Sequence, residues 1–323
     1  GKDPFYRIGL NADSLNLYAY HLTEKENMTM TVSMDADLTG KNADEITGKI
    51  SVDSLYYADI SGDWFMDNFT VEIGELQDFV RIISVNSDFM NMSITGHYNL
   101  STLPGSLAKA CGDVLPTIGN LVGTKLKAGK YNRNSNSLAL EAHINNLDIL
   151  EKVFNYPVSI SKPVYMQFAL VDKDSTCSGY LSVPEVIISG KRLSEGNMTL
   201  NSAEGTCYTE ITGYYGDRDE DGIAFKANLM AFMDIVRGKY SWKSETGQMS
   251  GDAKTLSQFF RYDTRNGLNS LTFIDTTSIM VNGTMWNLSI SRLSTDKHKI
   301  TISDFCAKND SQYLYADGTV SAD

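Results

Sequence analysis

The chain has 323 residues and a formal net charge of -12, with 42% hydrophobic and 10% aromatic residues. That length holds one long or two ordinary domains with a sizeable core, and the apolar content excludes a disordered chain. The acidic balance argues against a general phosphate-backbone binder, and no run reaches the roughly 18 apolar residues of a membrane span.

Alternation with a period of two dominates the sequence. From Met30 to Leu38, Met30, Val32, Met34, Ala36 and Leu38 share one face, and Thr31, Ser33, Asp35 and Asp37 share the other. This predicts a strand with one dry and one wet face. The pattern returns at Ile46–Val52, Phe69–Ile73 and Met90–Leu100. Two helical islands follow. In residues 106–122, Leu107, Ala110, Cys111, Val114, Leu115, Ile118 and Leu121 recur at threes and fours, with Pro116 expected to break or kink the run. In residues 147–155, Leu147, Leu150, Val153 and Phe154 form a second stripe. The polar stretch Gly129–Ser137 between them suggests a soft boundary, giving a β-rich segment 1–130 that ends in a helical excursion and a β-rich segment 131–323 that is expected to be continuous with it.

Beyond that boundary the alternation resumes at Met166–Leu170, Phe225–Ala231, Leu288–Ile290, Ile300–Ile302 and Tyr313–Tyr315. Turn or bulge sites are expected at Gly40-Lys41-Asn42, Gly62-Asp63, Gly216–Gly222 and Gly318. An Ile-Thr/Ser-Gly element recurs at 46–48, 60–62, 94–96, 188–190 and 211–213 without a fixed period. A glycine on an apolar face permits a bulge or the close approach of a neighbouring strand. Roughly fifteen or more strands result, with no crossover helices of the βαβ kind. The expected fold is all-β dominated: an elongated, curved, mainly antiparallel sheet, trough-like or sandwich-like, with two short helical insertions.

Little in the sequence carries reaction chemistry. No nucleotide-binding glycine loop, nucleophile elbow or HExxH occurs. Asp35 and Asp37 point the same way and could pair as glycosidase carboxylates, but their polar flanks favour an ordinary wet face. Asp217, Asp219 and Asp221 fail the spacing of a calcium loop. Cys111, Cys177, Cys207 and Cys306 lack zinc or redox spacing; Cys177 with Cys207 is the least implausible disulfide, and buried free thiols are the simpler reading. His21, His97, His143 and His298 form no ligand pair. Asn-x-Ser/Thr triplets, among them those at Asn27, Asn68, Asn91, Asn197, Asn282 and Asn287, would accept glycans only in a eukaryotic secretory route. Lys243, Lys254 and Arg261 are the best candidates for a mildly basic cluster. No cofactor or metal is called for.

The apolar face is rich in methionine, which fills irregular volumes. It can pack against a second sheet, or it can line a groove for an acyl chain. Each methylene withdrawn from water contributes about 0.8 kcal/mol. Met30, Val32, Met34, Ile50, Val52, Met90, Met92 and Ile94 are the candidate lining.

The stretches Asp35–Gly40 followed by Gly48–Tyr57, the strand opening Asp67–Val71, and Ser87–Tyr98 resemble the TamB branch of the AsmA-like superfamily from Bacteroidetes, the last being close to that family's SDFLNAEISGDY. Leu103-Pro104 and the helical run after it are similar too, as are Val281–Trp286 and Gln312–Ser321 near the end. Asn282-Gly283 stands where the family has Asn-Asp, and Met90 and Met92 replace Leu and Ala.

The resemblance implies a periplasmic segment of a Gram-negative envelope protein whose full length is anchored in the inner membrane. It would conduct or shield lipid acyl chains on their way to the outer membrane, without enzymatic activity. The expected partners are phospholipid or other acyl chains and outer-membrane assembly proteins, not nucleic acid. An assembly module acting through exposed strand edges is the alternative, and a carbohydrate-active enzyme the weakest reading.

Overall fold

In the computed structural model the described residues are all except 1–2, 22–27, 60–61, 126–135, 153, 155, 217–221, 261–267, 274–276, 296–298 and 322–323. The acidic turn at 217–221, Asn27, Arg261, His298 and most of the 129–137 stretch therefore lie outside the described residues. The side chains of 121–125, 259–260 and 268–273 are likewise not described.

The fold is all-β, with antiparallel strand pairing and three α-helices. In chain order come β1 (Phe5–Asn16), β2 (Thr29–Thr39), β3 (Thr47–Asp59), β4 (Gly62–Met66), β5 (Phe69–Glu75), β6 (Arg81–Ser87) and β7 (Met90–His97). Then follow α1 (Leu103–Val114), α2 (Pro116–Lys125), β8 (Ser137–Ile144), α3 (Asp148–Lys152), β9 (Val158–Ile160), β10 (Val164–Val171) and β11 (Thr176–Ile188). The rest are β12 (Lys191–Ala203), β13 (Thr206–Tyr215), β14 (Ile223–Phe232), β15 (Ile235–Ser244), β16 (Ser250–Phe260) and β17 (Leu268–Phe273), then β18 (Thr277–Val281), β19 (Thr284–Ser289), β20 (Arg292–Thr295), β21 (Lys299–Lys308) and β22 (Tyr313–Ser321).

Two units interleave in sequence. The first holds Gly1–Leu103, Ser135–Leu170 and Leu181–Arg192; the second holds Pro104–Asn134, Val171–Tyr180 and Leu193–Asp323. In the first, pairing runs β1–β2–β3–β5–β6–β7–β8, with β4 folded back on the end of β3. In the second it runs β12–β13–β14–β15–β16, with β17 and β18 both on β16 and β21–β22 at the far margin. Among the described residues β1 pairs only with β2, and β22 only with β21.

Pro116 divides the first helical island. Its missing N–H is harmless at the first position of a helix, so α2 begins there and α1 stops at Val114. The two helices lie along the hairpin turns of the second unit. The Ser106 hydroxyl donates to the Asp172 carboxylate (2.7 Å), and the Lys109 ammonium to the Ser175 hydroxyl (2.7 Å), both at the β10–β11 turn. At the β14–β15 turn, Asp234 accepts from the Thr117 N–H (2.9 Å) and hydroxyl (3.0 Å). That carboxylate satisfies donors that the first turn of α2 would otherwise leave open.

The second island differs from expectation. α3 is shorter than the 147–155 stripe, and Phe154 is exposed. Ile149, outside the stripe, is the residue that packs on the core. A helix this short turns too little for its periodicity to choose a face, so the tertiary contact does. Gly62, expected at a turn, pairs with Asp59 where β3 gives way to β4, and opens β4.

The recurring Ile-Thr/Ser-Gly element has several roles. At Gly48 and Gly96 it is a close approach. Gly48 has φ +136°, and a Cβ there would fall 2.0 Å from the Asp37 carbonyl oxygen on β2. Gly96 has φ +145°, with the Ser137 carbonyl of β8 at 2.1 Å from the same position. Only glycine tolerates both that conformation and that contact. At Gly190 the element is a hairpin turn instead.

Candidate functional site: an apolar sheet face with an open margin

Directly opposed residues in an antiparallel pair point to the same side, so the register assigns each face. In the first unit one row runs Ile8–Ala36–Ile50–Val71–Val85–Met92–Ala142 from β1 to β8. A neighbouring row runs Tyr6–Leu38–Gly48–Ile73–Ile83–Ile94–Leu140. Leu10, Met34, Val52 and Phe69 form a third, and Met90 faces Ile144 at its far side. Met30 and Val32 continue β2, opposite Tyr57 and Leu55.

All eight residues proposed from the sequence share this face. A bulge at Ser33/Met34, which pairs Ser33 with Ser54 but Met34 with Val52, keeps Ile50 and Val52 in phase with Leu55 and Tyr57 across the irregularity. Val32 is sealed, at 7% exposure, whereas Met30, Met34, Ile50, Val52, Met90, Met92 and Ile94 are half-buried.

The face is closed at one end. Tyr57, Trp64 and Met66 form a buried cluster against which Val52, Leu55, Phe69, Phe89 and Ile149 pack. Phe69 and Phe89 stack with centroids 6.2 Å apart. Along β1 the same face is open: Tyr6 is 47% exposed, Ile8 50% and Leu10 45%. The sequence reading missed this margin. Its signal was present, since Tyr6, Ile8, Leu10 and Ala12 alternate with Arg7, Gly9 and Asn11.

The reverse face is polar. It carries the Lys49–Glu72 ion pair (3.2 Å) and a shallow cleft of about 420 Å³ lined by Asn68, Glu72, Ser84, Asn86, Asn91 and Glu141, among others. The Tyr165 hydroxyl donates to Glu141 (3.1 Å), and the His143 ring lies 4.7 Å from that of Tyr165. Asp35 and Asp37 are both exposed, and the Arg7 guanidinium donates to Asp37 at 2.7 Å. That contact raises the Arg7 pKa, chiefly through the hydrogen bond.

At the opposite end from the aromatic cluster, Arg81 is buried and its guanidinium donates to the carbonyls of Ala43 (2.9 Å), Asp44 and Ile46 (3.2 Å), pinning the β2–β3 loop. Asp44 is held below the ordinary carboxylate range. Burial pushes its pKa up, but the Ser101 hydroxyl and N–H and the Arg81 charge together outweigh that.

The cysteines depart from the buried-thiol expectation. All four are free, Cys111 is exposed, and the other three are half-buried. Cys177 and Cys207 sit on β11 and β13 with β12 between them. Two strand spacings, about 9.5 Å, exceed the reach of a disulfide. Among the described residues no group of His, Cys, Asp and Glu could hold a metal, and no helix is long and apolar enough to cross a membrane.

No family model, curated protein or solved structure matches the chain.

Proposed function

We propose that the chain is a non-enzymatic segment of a cell-envelope protein that shields or conducts lipid acyl chains along the apolar face of its first unit. One observation carries this reading: a face apolar across seven paired strands, buried at Ala36, Val85 and Ala142 and only partly buried at Met34, Ile50 and Met92, opens to solvent along β1, where Tyr6, Ile8 and Leu10 are exposed. A contiguous exposed apolar surface is costly in water, and such surfaces mark sites of interaction. Flexible acyl chains suit a lining of methionine and branched side chains, because they need contact area rather than a polar hook. The TamB-like motifs support the same assignment and with it a periplasmic location in a Gram-negative bacterium, with the full-length protein anchored in the inner membrane.

A photoactivatable residue at Leu10 or Met34 should crosslink to phospholipid, and one at Asn86, on the polar face, should not. Met34→Asp should abolish the labelling at Leu10 while the thermal melt persists. Equal labelling from Leu10 and Asn86 would contradict the assignment. A second reading, docking of outer-membrane assembly proteins by strand addition, is favoured by β1 and β22, each of which has a single strand partner among the described residues. Crosslinks from backbone-edge positions of β1 to protein, with none to lipid, would select it.

A further inference from the structure

The second unit has an apolar face of its own. Register aligns Gly213–Phe225–Trp242–Gly251–Ile279–Trp286 across β13, β14, β15, β16, β18 and β19. Leu229, Gly238 and Thr255 form a parallel row, with Ala227, Tyr240 and Ala253 between the two. Among the described residues of these six strands no charged side chain lies on this face. Lys226, Lys239, Lys243 and Lys254 are on the reverse, Lys239 opposite Lys254.

Three rings of this face lean over glycines. A Cβ on Gly213 would fall 2.7 Å from the Phe225 ring, one on Gly251 2.5 Å from the Trp242 ring, and one on Gly238 2.5 Å from the Tyr240 ring. Each ring thus fills the space of a missing side chain and lies along the sheet instead of standing off it. A ring held that way turns a flat side outward, and Phe225, Tyr240, Trp242 and Trp286 are all only partly buried. Such surfaces favour a flat partner, stacked with an offset.

Two polar atoms interrupt this surface. Thr255 is 5% exposed and Thr277 3%, and neither hydroxyl has a hydrogen-bond partner among the described residues. Thr255 opposes Gly238, over which the hydroxyl end of Tyr240 lies. β16 and β18 pair as far as Asp252 and Ser278, which sets Thr277 beside Ala253 and diagonal to Thr255. A buried hydroxyl without a partner is destabilising, and a ligand oxygen at this spot offsets that cost.

We infer that this face binds an uncharged planar ring that carries carbonyl oxygens and an apolar tail, the chemistry of a prenylated quinone. Tyr240 lifts off Gly238 to admit the ring, which stacks on Trp242. The Thr255 and Thr277 hydroxyls donate to its carbonyls, and the tail runs over Leu229 and Ile279. A charged head finds no counter-charge here, and an acyl chain alone leaves both hydroxyls unpaired. The inference is independent of the acyl-chain reading, since it concerns the second unit and not the first.

The whole chain is titrated with a benzoquinone bearing a short isoprenoid tail, and tryptophan fluorescence is read. Of the three tryptophans, Trp242 and Trp286 lie on this face and Trp64 in the first unit. Saturable quenching is expected, and the isoprenoid alcohol with the same tail should not reverse it. The double variant Thr255→Val, Thr277→Val should bind about twenty-five-fold more weakly, about fivefold for each hydrogen bond. It should melt no lower than the parent, because an unpaired buried hydroxyl gives way to an apolar group of the same shape. Weaker binding without a lower melt separates lost binding from lost folding. Phospholipid labelling from Leu10 should be the same in the parent and the double variant, so either reading can fail without the other. Quenching that does not saturate, reversal by the isoprenoid alcohol, unchanged binding in the double variant, or a lower melt of that variant would each overturn the inference.

Discussion

Gly48→Ala probes how closely β2 and β3 approach. The new methyl group would sit 2.0 Å from the Asp37 carbonyl oxygen and 2.9 Å from the Leu38 Cα. Both are backbone atoms, so no rotamer change relieves the contact. The conformation itself, at φ +136°, costs an L-residue about 1–3 kcal/mol. Displacing the neighbouring strand adds about 1–3 kcal/mol, the usual range for overpacking. The sum, about 2–6 kcal/mol, is a large share of the roughly 5–15 kcal/mol that holds a domain folded.

Gly62→Ala separates the two contributions. Gly62 has a similar φ, +143°, but nothing lies within 4 Å of the added methyl. It should show the conformational cost alone. Urea melts followed by tryptophan fluorescence, with hydrogen exchange read at the β2–β3 amides, should place Gly48→Ala below Gly62→Ala by about 1–3 kcal/mol. Gly96→Ala, whose methyl would meet the Ser137 carbonyl at 2.1 Å, should behave like Gly48→Ala. Identical melts for Gly48→Ala and Gly62→Ala would refute the close approach.

Two further outcomes follow from the contacts. Asp234→Ala removes both acceptors from Thr117 and should cost about 1–2 kcal/mol, with faster exchange confined to the first turn of α2. Asp44 has a depressed pKa in the folded state, so its contribution is present above the ordinary carboxylate value of about 3.9 and is lost as pH falls through the lower folded value. Asp44→Asn should therefore destabilise the chain near neutrality and match the parent in strongly acidic buffer; a stability difference that does not change with pH would contradict this.

Much of the candidate face was legible because side chains on a strand alternate with a fixed period of two. Once Met30, Val32 and Met34 are placed on one side, the same rule assigns Ile50, Val52, Met90, Met92 and Ile94 within their own strands, and the pairing brings those strands together. Pro116 announced the break between α1 and α2 for an equally local reason, the missing N–H. β1 was overlooked although its alternation is present, because Gly9, Asn11 and Asp13 dilute the β-branched and aromatic content by which strands are recognised.

Pairing and coverage lay beyond local pattern. Period-two alternation says which residues share a side of one strand, but not which strand lies next to it, how the register is set, or what stands above the face. Those depend on contacts between distant residues: Gly48 admitting the Asp37 carbonyl, Ile149 reaching the Tyr57–Trp64–Met66 cluster, Lys239 falling opposite Lys254. Alternation is a property of one backbone and is written residue by residue. Exposure is a property of everything packed around it, and so Val32 is sealed while Ile8, on the adjoining strand, stands half in solvent.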